Sequence, residues 1–455
     1  MSKNLAPKNH VFYRNQNWRY PKIEKAKGIY LYDESGNAYI DGCSGSVVAN
    51  IGHGNEEVAA YSKTLTERLG FTHLSRWTVD VIEETAKKVA DFAPGDLNHV
   101  YFVSGGSEAT ETAVKMARQY FVERDGHSSK WKVISKWNSY HGNTIGALSM
   151  TGITSRRKIY DNYLLNFPKI EQFYLYRNTW GLADRKEMSI KAAEALEQEI
   201  KEHGAENIAA FISEPIVGSA APGIYPDKIY FDKVREICNK YDILLIIDEV
   251  MSGFGRTGEK FAVNHYDLIP DILVAAKGMS AGYTPIGCAI ANDEIFNTIM
   301  VKGSGHFVHG HTYAGNPLSC GIAGKVMDII ERDDIIENAK AQGHYLMERL
   351  QGLYQYDCVG DIRGKGLMIG IEFVKNKKTK EPFENSVQFK NKIMEACFEQ
   401  GLIVYPGGGS VDGELGDHIL LAPPLNITRE EIDLVFTKLE AGIKAANDDF
   451  FKEAN

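Results

Sequence analysis

Lys277 is the side chain of this sequence with the clearest capacity for covalent chemistry. It follows the apolar run DILVAA (271–276) and is itself followed by Gly278. An amine at the end of a buried strand is poorly solvated, which lowers its pKa and favours the neutral nucleophile that Schiff-base chemistry requires. The ordinary alternative is a lysine that extends its ammonium group from a strand end into water.

Other groups with chemical potential each follow a different apolar run. They are Gly105, Gly106 and Ser107 after VYFVS (100–104), Tyr140 and His141 after WKVIS (131–135), Glu214 after IAAFIS (208–213), and Asp248 at the end of ILLIID (243–248). The glycine turn precedes a helical pattern, so its backbone N–H groups suit a phosphate, although glycine turns are common and no GK[ST] sequence follows. A buried carboxylate such as Asp248 is costly unless it is paired with a cation or well hydrogen-bonded, and a pyridinium N–H would be a suitable partner. The alternative is that Asp248 caps the next turn.

The apolar runs predict the elements that position these groups. They alternate with helical patterns, including Ser107 to Arg124 and residues 228–241, which indicates an α/β fold with a mostly parallel sheet. In such a sheet ligands bind outside the carboxyl ends of the strands, where all these groups meet. We expect a large domain over residues 56–316. A smaller α+β domain over 317–455 would begin with a long helical stretch to about 355, and residues 1–55 would pack with it.

Composition excludes several classes of partner. The chain has 455 residues and a net charge of −9, so a nucleic-acid-binding surface is not expected. No apolar run is long enough to span a membrane, and the amino terminus does not have the pattern of a signal peptide. The six cysteines are scattered without a CxxC pair, which indicates reduced thiols and no metal site. A cytoplasmic enzyme is the resulting expectation.

Several longer motifs resemble those of the class III aminotransferases, the ω-amino-acid and amine transaminases of the aspartate-aminotransferase fold (fold type I). The most specific is IIDEVMSGFGRTGEKFA (246–262), followed by PDILVAAKG (270–278). Further matches occur in the family's order, at SGGSEATETAVKMAR (104–118), SYHGNT (139–144), SEPIVG (213–218) and HTYAGNP (311–317). The resemblance implies a transaminase that uses pyridoxal 5′-phosphate and covers nearly the whole chain.

The resemblance also implies roles for individual residues. Lys277 corresponds to the Schiff-base lysine and Asp248 to the partner of the pyridinium nitrogen. Val250 and Tyr140 correspond to residues that pack on the two faces of the cofactor ring, and Gly105, Gly106 and Ser107 to the phosphate-binding turn. Thr312 corresponds to a phosphate ligand supplied by the neighbouring subunit, so a homodimer is expected. His141 and Glu214 fall on motif positions near the ring.

The substrate is the point at which the sequence departs from its relatives. Ser219 stands where 4-aminobutyrate transaminases carry a gate glutamate, and residues 404–418 have no arginine where amine:pyruvate relatives often carry one. Arg156, Arg157 and Arg14 are candidate substitutes, each with an ordinary surface or structural role as the alternative. The donor could be β-alanine, 4-aminobutyrate, taurine or a diamine, and the acceptor pyruvate or 2-oxoglutarate. An epimerase, aminomutase or decarboxylase on the same scaffold is the second hypothesis, and a non-catalytic binding protein the third.

Overall fold

The computed structural model describes residues 10–15, 18 and 20–452. Much of the amino-terminal segment from which we predict the absence of a signal peptide lies outside these residues. The strands are β1 Ile23–Lys27, β2 Tyr30–Asp33, β3 Ala38–Asp41, β4 His99–Val103, β5 Lys132–Lys136, β6 Lys169–Ile170, β7 Ile208–Ser213, β8 Leu244–Asp248, β9 Ile272–Ala275, β10 Gly287–Ala291, β11 Val359–Lys365, β12 Met368–Phe373, β13 Leu402–Ile403, β14 Tyr405–Gly408 and β15 Asp417–Leu421.

The helices alternate with these strands in the first two thirds of the chain and dominate the last third. They are α1 Ser44–Val47, α2 Glu56–Arg68, α3 Asp80–Phe92, α4 Gly106–Asp125, α5 Ile145–Met150, α6 Thr154–Arg157, α7 Arg185–His203, α8 Lys228–Tyr241, α9 Asp293–Phe296, α10 Pro317–Arg332, α11 Ile335–Leu350, α12 Phe389–Glu399 and α13 Arg429–Lys452. In the described part of the chain, no helix has both the length and the apolarity that crossing a membrane requires.

The central sheet has the strand order β4-β10-β9-β8-β7-β5-β6. Neighbouring strands from β9 to β6 are parallel, which places their carboxyl ends at one edge. The five apolar runs of the sequence become β4, β5, β7, β8 and β9, so the predicted α/β fold with a mostly parallel sheet is confirmed. The exception is β10, which lies antiparallel between β4 and β9.

Both faces of the central sheet are covered by helices, which explains why its inner strands β7, β8 and β9 are almost wholly apolar and buried along their length. Successive side chains of a strand point to opposite faces. Accordingly Phe211 and Leu245 belong to one core with residues of α7 and α8, such as Leu196. Ala210 and Ile246 belong to a second core with residues of α4. The helices on the two faces therefore hold the strand ends in fixed positions.

The last third of the chain forms a separate antiparallel sheet, β11-β12-β15-β14, which packs against α11 and α12; these two helices in turn pack against α13. The long helical stretch expected from residue 317 is divided between α10 and α11, because Asp334 adopts the left-handed conformation with φ 50°. Aspartate tolerates this conformation better than most residues. A third sheet joins β1, β2 and β3 to β13, with Ile40 beside Leu402. The division into domains at residues 55 and 316 stays a prediction.

Candidate active site

A cavity of about 380 Å³ lies at the carboxyl edge of the central sheet. All the predicted site residues line it except Thr312, namely Gly105, Gly106, Ser107, Tyr140, His141, Glu214, Asp248, Val250 and Lys277. These residues come from the ends of β4, β5, β7, β8 and β9, as the parallel arrangement requires. The structure therefore brings together side chains that are up to 172 residues apart in the sequence.

Asp248 is the buried carboxylate of the cavity, with only 5% of its surface exposed. Its Oδ2 atom lies 2.8 Å from Nδ1 of the buried His141, and its Oδ1 atom accepts a hydrogen bond of 3.0 Å from the backbone N–H of Val250. These contacts fix the orientation of a carboxylate that would otherwise be costly to bury. The Nε2 atom of His141 is also buried and has no hydrogen-bond partner among the described residues.

Lys277 faces the same cavity from the end of β9. Its Nζ atom donates to the backbone carbonyl of Ser46 at 3.1 Å. Burial lowers the pKa of this amine to about 8, against the opposing attraction of the negative charges of Asp248 and Glu214. Lys277 also adopts a left-handed backbone conformation, with φ 44°, which is uncommon for a lysine and marks a locally strained position. At pH 7 about a tenth of such an amine is neutral, against less than about 0.1% for an ordinary lysine.

Glu214 acts on the cavity through the backbone. Its Oε2 atom accepts from the N–H of Tyr140 at 3.0 Å, and its Oε1 atom accepts from the N–H of Gly218 at 2.9 Å. Burial raises the pKa of Glu214, and the negative charge of Asp248 adds to this effect while His141 opposes it. The carboxyl group thereby ties the segment that carries the Tyr140 ring to the segment after β7.

The turn from Gly105 to Ser107 lies at the amino end of α4, and the space beside Gly105 is unoccupied by protein atoms. A Cβ atom at Gly105 would meet nothing within 4 Å, whereas a Cβ atom at Gly106 would lie 2.9 Å from Cγ1 of Val250. The Oγ atom of Ser107 accepts from the N–H of Asn143 at 3.0 Å. A helix amino end with a glycine turn and a serine hydroxyl is suited to bind a phosphate. Gly106 also allows Val250 to pack closely against the turn.

Together these groups match the chemistry of one kind of cofactor. The glycine turn at the amino end of α4, the fixed carboxylate of Asp248, the unpartnered Nε2 atom of His141 and the amine of Lys277 surround a single cavity. They would serve a flat heteroaromatic aldehyde that carries a phosphate and a basic ring nitrogen. Pyridoxal 5′-phosphate has all these parts, so the residues present fit the cofactor that the sequence motifs imply.

Thr312 lies apart from the other predicted site residues. Thr312 is exposed and lies outside the cavity of its own chain. Ser252 and Thr284 line the cavity but were not singled out from the sequence. Ser252 donates a short hydrogen bond to the buried Glu249, whose pKa burial raises to about 7. Ser252 lies within the family motif IIDEVMSGFGRT, and this position is the signal in the sequence that could have identified it.

The three arginines considered as substrate cations have different surroundings. Arg157 donates to the carbonyls of Leu148, Ser149 and Thr151, which is a structural role. Arg14 is exposed and lines neither the main cavity nor the one beside it. Arg156 lines the cavity beside the main one, and its guanidinium carbon lies 4.6 Å from the centroid of the Tyr140 ring.

Comparison with known proteins gives relatives that are named as aminotransferases. A putrescine–pyruvate aminotransferase of Pseudomonas aeruginosa is 39% identical over 417 residues, which are 91% of this chain and 88% of that protein. An uncharacterised aminotransferase of Bacillus subtilis, YodT, is 38% identical over 429 residues, or 93% and 96% of the two chains.

The solved structures that resemble this chain include transaminases. An (S)-enantioselective omega-transaminase from Thermomicrobium roseum superimposes with a TM-score of 0.89 at 34% identity and 96% coverage of both chains. An amine transaminase from an uncultivated Pseudomonas species, solved in its PLP-bound form, gives 0.88 at 32% identity and covers 98% of this chain and 99% of that one. The family model described as Aminotransferase class-III matches residues 12–443. The chain therefore belongs to the class III aminotransferases and is an enzyme with the fold of the omega-transaminases.

Proposed function

We propose that this enzyme holds pyridoxal 5′-phosphate in the cavity, covalently attached to Lys277, and transfers amino groups from a primary amine to an oxo acid. The observation that carries this proposal is the pairing of a desolvated amine with a fixed, buried carboxylate at one cavity. The PLP-bound form of a structural relative supports the choice of cofactor.

The binding roles follow from the position of each group. The turn from Gly105 to Ser107 would hold the phosphate through its N–H groups and hydroxyl. Asp248 would accept from the protonated ring nitrogen, and Tyr140 and Val250 would pack against the ring. When bound, the cofactor withdraws electrons from the substrate carbon that loses a proton.

The protein's contribution to the reaction is proton transfer and orientation. Asp248 favours the protonated ring nitrogen because its negative charge is held in place by His141 and by the N–H of Val250. Lys277, once released by the incoming amine, is neutral often enough to accept a proton and can then return it. Glu214 keeps the Tyr140 backbone in register, so that the ring's position does not depend on side-chain packing alone.

The choice of substrates is part of the proposal. A relative of 39% identity is named for putrescine and pyruvate, which supports a primary amine as donor and pyruvate as acceptor. β-Alanine, 4-aminobutyrate, taurine and diamines are the donors to test, and 2-oxoglutarate is the alternative acceptor.

A homodimer is the proposed assembly. Thr312 is exposed and does not reach the cavity of its own chain, which supports a role in the cavity of a neighbouring subunit. Mixed dimers test this arrangement. A Lys277→Ala subunit paired with a Thr312→Ala subunit retains one site with both residues intact, so the mixture should recover activity that neither variant has. Failure to recover any activity on mixing would contradict the shared site.

A donor half-reaction tests the proposed function. The holoenzyme is mixed with each donor in the absence of an acceptor, and the cofactor absorption is followed. Amino transfer predicts conversion of the cofactor from its aldehyde form to its amine form, release of a carbonyl product, and reversal on addition of pyruvate or 2-oxoglutarate. An epimerase would return the aldehyde form without net loss of amine, and a decarboxylase would release carbon dioxide. Full turnover by Lys277→Ala would contradict the mechanism.

A further inference from the structure

A second cavity, of about 370 Å³, lies next to the proposed cofactor site. Arg156, Ser219, Lys390 and Tyr405 are among the residues that line it. Arg156 connects the two cavities, because its guanidinium group packs on the ring of Tyr140, which lines the first cavity. The segment from Glu214 to Ser219 also passes from one cavity to the other.

The second cavity has an excess of positive charge. Within the described part of the chain, Arg156 has no carboxylate at ion-pair distance, although it is half-buried. Lys390 lies 3.4 Å from Asp417, so its charge is partly balanced. The one acidic residue of the lining, Glu414, pairs with Lys158 at 3.1 Å. A half-buried guanidinium group without an anionic partner is costly and favours an anion from solution.

Ser219 provides a second, independent indication of a ligand. Only 8% of its surface is exposed, and among the described residues its buried Oγ atom has no hydrogen-bond partner. An unsatisfied buried hydroxyl destabilises the protein unless a ligand or water completes its hydrogen bonds. A glutamate at this position, as in the 4-aminobutyrate transaminases, would add a negative charge beside Arg156. The serine therefore leaves the positive charge of the cavity uncompensated.

Arg156 lies one aromatic ring away from the cavity that Lys277 lines. The Tyr140 ring lines the same cavity, and the Arg156 guanidinium carbon lies 4.6 Å from the centroid of this ring. A substrate whose reacting carbon is at Lys277 would extend past Tyr140 to place its other end at Arg156.

We propose that the second cavity is the subsite for an anionic group of the substrate, a carboxylate or a sulfonate. Arg156 supplies the main cation, Ser219 donates a hydrogen bond, and Lys390 adds a further positive charge. This assignment rests on the proposed transaminase function and deepens it, since it selects ω-amino acids, aminosulfonates and oxo acids over neutral amines and aldehydes. In this role Arg156 would take the place of the gate glutamate and of the carboxyl-terminal arginine found in relatives, neither of which stands at the corresponding positions of this chain.

Matched pairs of substrates test the subsite in the two half-reactions. For the donor, 4-aminobutyrate is compared with butylamine; for the acceptor, pyruvate is compared with propanal. Arg156→Gln should lower kcat/KM for the anionic member by about 10- to 100-fold, the effect of losing one charge-assisted hydrogen bond. The neutral member should change by no more than about twofold. The two arms show whether donor, acceptor or both use the subsite.

Arg349→Gln is the matched control, because the Arg349 guanidinium carbon also lies 4.6 Å from an aromatic ring, that of Phe436, outside both cavities. It should leave both members of each pair unchanged. Equal loss with anionic and neutral substrates in Arg156→Gln would overturn the proposal, since it would indicate only a disturbed Tyr140. No change with any anionic substrate would overturn it as well.

A binding measurement separates this proposal from the proposed function. Calorimetric titration of the cofactor-free protein with butyrate and with propane-1-sulfonate should give binding that Arg156→Gln weakens at least about 10-fold. Absence of binding, or equal binding by both proteins, would overturn the subsite. If no amine converts the cofactor, the transaminase function fails while the titration still decides whether an anion binds at Arg156.

Discussion

The substitution Gly106→Ala should destabilise the cofactor-free protein, because the first residue of α4 has no room for a side chain. An added Cβ atom would lie 2.9 Å from Cγ1 and 3.2 Å from Cγ2 of Val250. Overpacking of this kind costs about 1–3 kcal/mol. Alanine is more favourable than glycine by about 0.5–1 kcal/mol in the middle of a helix, so at the first residue of α4 it offsets no more than about 0.5 kcal/mol of the cost. The net loss should therefore be about 0.5–2.5 kcal/mol.

The neighbouring glycine supplies the control. A Cβ atom at Gly105 meets nothing within 4 Å, and the residue has an extended backbone with φ 174°. Gly105→Ala should therefore change the free energy of unfolding by less than about 0.5 kcal/mol. Equilibrium urea unfolding of the cofactor-free proteins measures both values.

A double-mutant cycle isolates the contact itself. Val250→Ala removes the two methyl groups that the new Cβ atom would meet, so Gly106→Ala should cost about 1–3 kcal/mol less in that background. The helix-propensity difference is present in both backgrounds and cancels. Additive effects of the two substitutions, or equal stability of Gly106→Ala and Gly105→Ala, would contradict a clash between a side chain at position 106 and Val250.

Three further predictions concern the charges around the site. The negative charge of Asp248 opposes the lowering of the Lys277 pKa, so Asp248→Asn should move the midpoint for trapping of an aldehyde by the cofactor-free protein below the value of about 8; a higher midpoint would contradict this. Because burial disfavours the charged amine, Lys277→Met should stabilise the cofactor-free protein at pH 7 by about 1–3 kcal/mol in urea unfolding. The unfolded chain holds this proton up to a pH of about 10.4, so the gain should shrink between about pH 8 and that value; a gain that grows would contradict the assignment. Arg256 is fully buried and donates hydrogen bonds to two backbone carbonyls and to the side chains of Ser44 and Asn50. Arg256→Met should therefore lower the free energy of unfolding by at least about 3 kcal/mol. A decrease below about 1 kcal/mol would show that these hydrogen bonds contribute little to stability.

The sequence was sufficient to predict the cavity because the relevant residues all follow buried parallel strands. Once VYFVS, ILLIID and DILVAA are assigned to one sheet, their carboxyl ends must lie at the same edge. The following residues, such as Asp248 and Lys277, then meet without further information. The family motifs gave the same residues independently.

Features that depend on distant packing were not predicted. Strand β10 lies antiparallel between β4 and β9, an order that no local pattern specifies. The Ser46 carbonyl reaches Lys277 from the amino-terminal part of the chain, across 231 positions. Arg156 and Arg157 are adjacent in the sequence and chemically identical, yet one packs on Tyr140 in a cavity and the other binds backbone carbonyls. Such differences arise from which face of a short helix is covered.

Chemical trapping of the cofactor on the protein tests most directly whether Lys277 carries pyridoxal 5′-phosphate. The holoenzyme is reduced with borohydride, digested, and analysed by mass spectrometry. We expect one reduced pyridoxyl-phosphate group per chain, on the peptide that contains Lys277, and no labelling in Lys277→Ala. Labelling of a different lysine, or equal labelling of Lys277→Ala, would contradict it.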